Sequence, residues 1–194
     1  MRPRAVLVTG APGGRKTTLA AQLARLLRVP FIARDDIRGG LFFTAGAWGD
    51  ELVRVPSADE AVDVFLQTVE ALLARGVSCV VEYVIRSHRP ADLDRLLAAG
   101  ECVVIMTRCD AASSRVVERN RSDRFVANRA FLDAMGFGSV AEHTEAVVPR
   151  MAQVEREMLV QFPRSVPVLQ VDTTDGYEPD MDAVLAFAAA INET

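Results

Sequence analysis

The chain has 194 residues, half of them apolar and a quarter charged, the proportions of an ordinary globular domain. A chain of this length buries roughly 70% of its unfolded surface without disulfide or metal staples. These numbers exclude a disordered tail and a disulfide-framed miniprotein, and they favour one domain spanning 1–194. Twenty-two basic against twenty-six acidic residues give a net charge of −4, so the basic face of a dedicated nucleic-acid binder is not expected.

In chain order, residues 5–9 (AVLVT) read as a short buried strand that ends at Gly10, and 17–28 as a helix with Leu19, Leu23, Leu26 and Leu27 on one face. Residues 30–33 make a second strand. Asp35 and Asp36 open another helix, because carboxylates favour a helix N-terminus. Residues 39–56 hold four glycines with Phe42, Phe43 and Trp48, and read as a helix end followed by a mobile loop.

Ser57 and Glu60 form a capping box for a helix that carries Val62, Phe65, Leu66, Val69, Leu72 and Leu73 and stops at Gly76. Strands follow at 77–81 and 102–107, separated by a helix at 92–99. A helix at about 111–121 leads into an arginine-rich stretch. Pro149 starts or kinks the next helix. A fifth strand at 166–171 and a last helix at 179–191 complete the chain. Strands alternating with helices give an α/β domain, a parallel sheet covered on both faces.

Cys79, Cys102 and Cys109 show no Cys-x-x-Cys spacing and only two histidines accompany them, so a structural zinc site is not expected and the thiols read as reduced core residues. The N-terminus enters the first strand without a secretory leader, and no apolar run approaches the ~18 residues of a membrane span. A cytoplasmic protein without a membrane partner is expected.

Of the 22 basic residues 21 are arginine, and the single lysine is Lys16. It stands in Gly10-Ala11-Pro12-Gly13-Gly14-Arg15-Lys16-Thr17, between a strand and a helix, which is the context of the pattern G-x-x-x-x-G-K-[ST]. Glycines let backbone N–H groups converge on phosphate oxygens at the positive end of the helix. Lys16 would reach the β- and γ-phosphates, the Thr17 hydroxyl would ligate Mg²⁺, and Thr18 would lie beside them. Arg15 takes the place of the last glycine. It would either crowd the loop or point outward.

With Arg34-Asp35-Asp36-Ile37-Arg38 after the second strand, Arg108-Cys109-Asp110 after the fourth, and 168–177 (VLQVDTTDGY) near the end, the chain resembles the P-loop small-molecule kinases. That group is related to the polynucleotide 5′-kinase domain, chloramphenicol phosphotransferase and zeta toxins. The resemblance implies the P-loop NTPase fold, with a five-stranded parallel sheet of order 2-3-1-4-5 and an arginine-rich lid at about 112–147. It also implies ATP with Mg²⁺ and transfer of the γ-phosphate to a hydroxyl of a small molecule.

By the same resemblance Asp35 takes the acceptor's proton and Arg38 contacts substrate or phosphate. Arg115, Arg119, Arg121, Arg124 and Arg129 belong to the lid, with Arg119 and Arg124 the choices for contact with the phosphates. Thr173, Thr174 and Asp175 fall where the adenine-binding loop lies. From the residues themselves, Glu82 at the end of the third strand is an acceptor-pocket or metal-hydrating group, with Tyr83 and Arg86 on the acceptor side and His88 at the surface.

Three rival readings remain open at the sequence level. One is a polynucleotide 5′-kinase, weakened by the acidic balance. Another is a nucleotide-binding protein in which Arg15 has ended turnover. The third, an NTPase switch, lacks the aspartate expected at the end of a strand beside the loop.

Overall fold

The computed structural model describes residues 2–45, 54, 56–85, 89–121, 132, 135–159, 162 and 165–190. Its sheet has five strands: β1 (Arg4–Gly10), β2 (Phe31–Ala33), β3 (Cys79–Glu82), β4 (Glu101–Arg108) and β5 (Val168–Asp172). All pairings are parallel and the order is β2-β3-β1-β4-β5, as the resemblance implies.

The alternation of β1 explains its central place. Ala5 and Leu7 face one side, where they pack with Cys79, Val81, Cys102 and Val104 under two helices, α3 (Ala58–Ala74) and α4 (Pro90–Ala99). Val6 and Val8 face the other, with Val80, Val103 and Ile105 under α1 (Lys16–Leu27) and the final helix, α7 (Met181–Ala189). A strand buried on both faces reads as a continuous apolar run, which is what β1 is.

The α3 stripe of Val62, Phe65, Leu66, Val69 and Leu73 is fully buried, each such side chain contributing about 1.5–3 kcal/mol. Its N-cap is the predicted one: Ser57 Oγ accepts from the Glu60 N–H at 2.9 Å.

The structure fixes three helix boundaries. α2 (Arg34–Thr44) runs through Gly39 and Gly40 and ends inside the 39–56 stretch where a helix end is expected. Two glycines weaken a helix by about 1 kcal/mol each, but burial of Phe42 and packing of Ile37 against the core hold the helix together. α6 (Val140–Leu159) begins before Val148 and carries Pro149 in its interior. α7 starts after Pro179, where Asp180 Oδ1 caps the Ala183 N–H at 2.9 Å. The remaining helix, α5 (Ala112–Arg121), packs through Val116 against Cys109, Ala112 and Val148. No described helix is long and apolar enough to cross a membrane.

Candidate active site

The chain order reverses direction across the sheet beside β1, and ligands of open α/β sheets bind outside the carboxyl ends of the strands at that switch point. The Gly10-to-Thr17 loop occupies it. Gly10 has φ +145° and a Cβ there would lie 2.2 Å from Thr107 Oγ1 on β4. Gly13 has φ +80° and a Cβ would lie 2.3 Å from the Ala112 carbonyl. Neither position tolerates a side chain, so the loop is drawn tightly between β4 and the start of α5. Within it the Gly14 N–H bonds the Ala11 carbonyl at 3.1 Å, with Pro12 between them.

Arg15 resolves the choice left by the sequence. It adopts φ 55° and ψ 19°, the left-handed conformation that the pattern's glycine would adopt without strain, and it is exposed. The left-handed turn is therefore kept with an arginine in it, and the residue is exposed instead of filling the loop. Thr17 and Thr18 follow in the exposed first turn of α1, whose leading N–H groups form an anion-favouring terminus.

Lys16 is 7% exposed, and its Nζ donates to the Ala11 carbonyl at 2.9 Å across the mouth of the loop. It also lies 4.0 Å from Glu82 Oε1. The other carboxylate oxygen of Glu82 accepts from the Thr17 hydroxyl at 3.0 Å. Pairing explains this meeting. Glu82 ends β3 opposite Val8 of β1 on one side and Ala33 of β2 on the other, so it stands between the strand that feeds the loop and the strand that feeds α2.

Burial pushes the Glu82 carboxyl above the ordinary carboxylate range, while Lys16 and the Thr17 hydroxyl pull it back. The Asp35 charge adds to the rise and Arg34 opposes it. Five groups thus share one electrostatic site: Lys16, Thr17, Glu82, Arg34 and Asp35. A hydroxyl and a buried carboxylate beside this glycine-rich loop are hard oxygen donors and could hold Mg²⁺, which takes one or two carboxylates, substrate phosphates and water.

Asp35 and Asp36 lie in the first turn of α2. The Asp35 side chain is 75% exposed, and its Oδ1 is 3.0 Å from Nη1 of the buried Arg34. Arg38, one turn on, places its guanidinium 5.8 Å over the Phe42 ring. Phe43 is exposed on the same helix and Phe42 is buried, so the aromatic pair splits between solvent and core.

Tyr83 is not on the acceptor side. It is 1% exposed, stacks near Phe65 with ring centroids 5.5 Å apart, and donates its hydroxyl to the buried carboxylate of Asp92. Adjacent residues leaving a strand point to opposite faces, so Glu82 in the crevice puts Tyr83 in the core. Arg89 completes the group by donating Nε to Asp92 at 2.9 Å.

On the other flank, Thr173 is fully buried and its hydroxyl, with one proton to donate, lies between two acceptors, the Gly14 carbonyl at 3.2 Å and the Arg108 carbonyl at 3.1 Å. Thr174 Oγ1 accepts from the Asp110 N–H at 3.1 Å, while Asp175 is exposed. Arg115 bonds this loop and not a phosphate position. Arg119 lies on α5. Arg86, His88, Arg124, Arg129 and Trp48 lie outside the described residues, as does most of the stretch between α5 and α6 assigned to the lid. The sequence reading missed Arg34 as a buried cation and Asp92 as the partner of Tyr83. The position of Arg34, directly after a buried strand and before the candidate base, was the available signal.

No family model matches the chain, and no curated protein does. Solved structures do. A protein from Chloroflexus aurantiacus J-10-fl, whose own kinase assignment is provisional, superposes with a TM-score of 0.71 at 21% identity, over 96% of this chain and 97% of that one. A sugar kinase from Janibacter sp. HTCC2649 gives 0.58 at 17% identity, covering 96% of each chain. A gluconokinase from Sinorhizobium meliloti 1021 gives 0.55 at 17% identity, over 97% of this chain and 94% of that one. At these identities the likeness establishes architecture alone: the chain shares the α/β fold of these structures, with a five-stranded parallel sheet of order 2-3-1-4-5.

Proposed function

We propose that the protein is an ATP-dependent phosphotransferase that moves the γ-phosphoryl group of ATP to a hydroxyl of a small molecule of nucleoside, sugar or antibiotic-like type. The observation that carries this reading is the meeting of Lys16, Thr17 and Glu82 at the head of α1, with Asp35 one strand away. It joins a phosphate cradle to a carboxylate outside it. Kinase names among the structures of the same fold support it at the level of reaction class.

In this reading the N–H groups of Gly13 and of Arg15 to Thr18 receive the phosphates, and Lys16 exchanges its bond to the Ala11 carbonyl for the β- and γ-oxygens. Thr17, with Glu82 beside it, would hold Mg²⁺, which would supply charge neutralisation on the transferring group. Asp35 accepts the proton of the attacking hydroxyl, and Arg34 keeps that carboxylate oriented. Arg38 faces substrate or phosphate from one turn along α2. Arg119 and Arg124 are assigned to the lid that closes over the phosphates. Arg86, Thr174 and Asp175 retain their assignments to acceptor and base, and Tyr83 is withdrawn from the acceptor set.

The test is ADP and phosphorylated-product formation from ATP·Mg²⁺ with nucleosides, sugars, sugar acids and hydroxylated antibiotics. General-base assistance is typically worth 10²–10⁴-fold, so Asp35→Asn should lose about that much transfer while binding ATP normally. Full transfer by Asp35→Asn would remove the base assignment. Tight ATP binding without transfer to any acceptor class would favour the reading in which Arg15 has ended turnover.

A further inference from the structure

The phosphate end of the site is fixed by Lys16, Thr17 and Glu82, which leaves two directions for the nucleoside. The β2–β3 flank carries the carboxylates Asp35 and Glu82 and is the acceptor's side. The other flank is bounded by the turn after β4 and the loop 173–177 after β5. That loop is shut at its base, where the backbones of Asp172 and Glu178 exchange hydrogen bonds of 2.8 and 2.9 Å. It is also tied internally by the Thr174 N–H to Asp172 Oδ1 at 2.7 Å. Its entry touches the cradle directly through Thr173 Oγ1 and the Gly14 carbonyl.

One side chain joins this loop to α5. Arg115 Nη1 donates to the Thr173 carbonyl and to Cys109 Sγ, each at 2.9 Å, and Nη2 donates to the Thr174 carbonyl. Two successive carbonyls held by one planar fork is a contact that a lysine's single ammonium does not reproduce. The same helix presses on the cradle, since Gly13 lies against the Ala112 carbonyl and Val116. The guanidinium therefore adds a second tie, beside the Thr173 hydroxyl, between the 173–177 loop and the helix that packs on the cradle.

We propose that Arg115 is a positioning residue for the nucleoside half of the nucleotide, holding Thr173 and Thr174 in place so that base and ribose meet a preformed surface. The proposal rests on the nucleotide-binding reading above. A loop that must be ordered at the moment of binding weakens the complex, whereas the phosphates meet Lys16 and the head of α1 whether or not the loop is held.

The experiment is calorimetric titration of two probes, ATP·Mg²⁺ and tripolyphosphate·Mg²⁺, into the native chain, Arg115→Lys and Arg115→Met, with thermal unfolding of each. Native protein should bind both probes. Both variants should lose roughly tenfold or more in ATP affinity, as removal of one or two good hydrogen bonds predicts, and keep tripolyphosphate affinity within about twofold. A merely structural role would move both probes together, and comparing the two constants within one protein separates the cases even if Arg115→Met is less stable. Equal weakening of both probes, or an unchanged ATP affinity, would overturn the role of Arg115 alone. Native protein that bound neither probe would overturn the nucleotide-binding reading and this role with it.

Discussion

Helix α1 has an arginine in the left-handed region at each end, Arg15 at φ 55° and Arg28 at φ 56°. A non-glycine residue there costs about 1–2 kcal/mol, and glycine returns roughly 0.4–1 kcal/mol of that by its greater freedom in the unfolded chain. Arg15→Gly and Arg28→Gly should therefore each stabilise the protein by about 0.5–1 kcal/mol. For a protein of this size that is roughly a 1–4 °C rise in Tm. The sites lie about 20 Å apart along the helix, far enough for the two gains to add.

Arg28 sits in a helix-ending turn where the Val29 N–H bonds the Ala24 carbonyl at 3.0 Å, remote from the cradle, so it serves as the control for strain alone. Thermal and urea unfolding of the two single variants and the double variant give the stabilities, and titration with ATP·Mg²⁺ gives the affinities. The structure predicts similar stability gains at both sites and nucleotide binding retained in all three variants. A gain at Arg28 with a loss at Arg15 would refute the argument, because it would mean that Arg15 makes contacts in the loop that outweigh its strain.

Two further predictions concern the core. Tyr83→Phe removes a donor from the buried Asp92, which should cost about 1–3 kcal/mol and leave ATP affinity unchanged; reduced acceptor affinity without loss of stability would return Tyr83 to the acceptor side. Burial pushes the Cys79 thiol up to about 11 and the Cys102 thiol up to about 12 from an ordinary value of 9.0. The unfolded chain then releases these protons first as pH rises, so their contribution is complete below pH 9 and is lost through the interval from 9 to about 12. Urea unfolding of the native chain and a Cys79→Ala, Cys102→Ala double variant across that range should show the steeper alkaline decline in the native chain, and parallel declines would contradict the assignment.

The parts of the candidate site whose positions are legible in the sequence are those tied to a local pattern. The loop from Gly10 to Thr17 announces itself because phosphate binding needs particular residues at fixed spacing between a strand and a helix. Asp35 follows from its place just beyond a strand. Glu82 was legible as a strand-end carboxylate, but its contact with Thr17 depends on β3 lying next to β1, an order that the resemblance supplied and spacing could not.

Tyr83 was misplaced because a residue following a strand was read without its alternation, although period two already separates it from Glu82. Arg15 was ambiguous because backbone φ is not written in residue type. The resemblance groups Arg115 with the lid arginines, whereas its partners, the Thr173 and Thr174 carbonyls, are 58 and 59 residues away in sequence. α2 outlasted its two glycines because tertiary burial of Phe42 outweighed local propensity.

In the proposed function the loop holding Lys16 works as a nucleotide cradle despite Arg15. Calorimetric titration of ATP·Mg²⁺ into the native chain and Lys16→Ala tests it most directly. The account predicts saturable binding by the native chain and its loss in Lys16→Ala, with folding retained. Absence of native binding, or binding that survives Lys16→Ala unchanged, would contradict it.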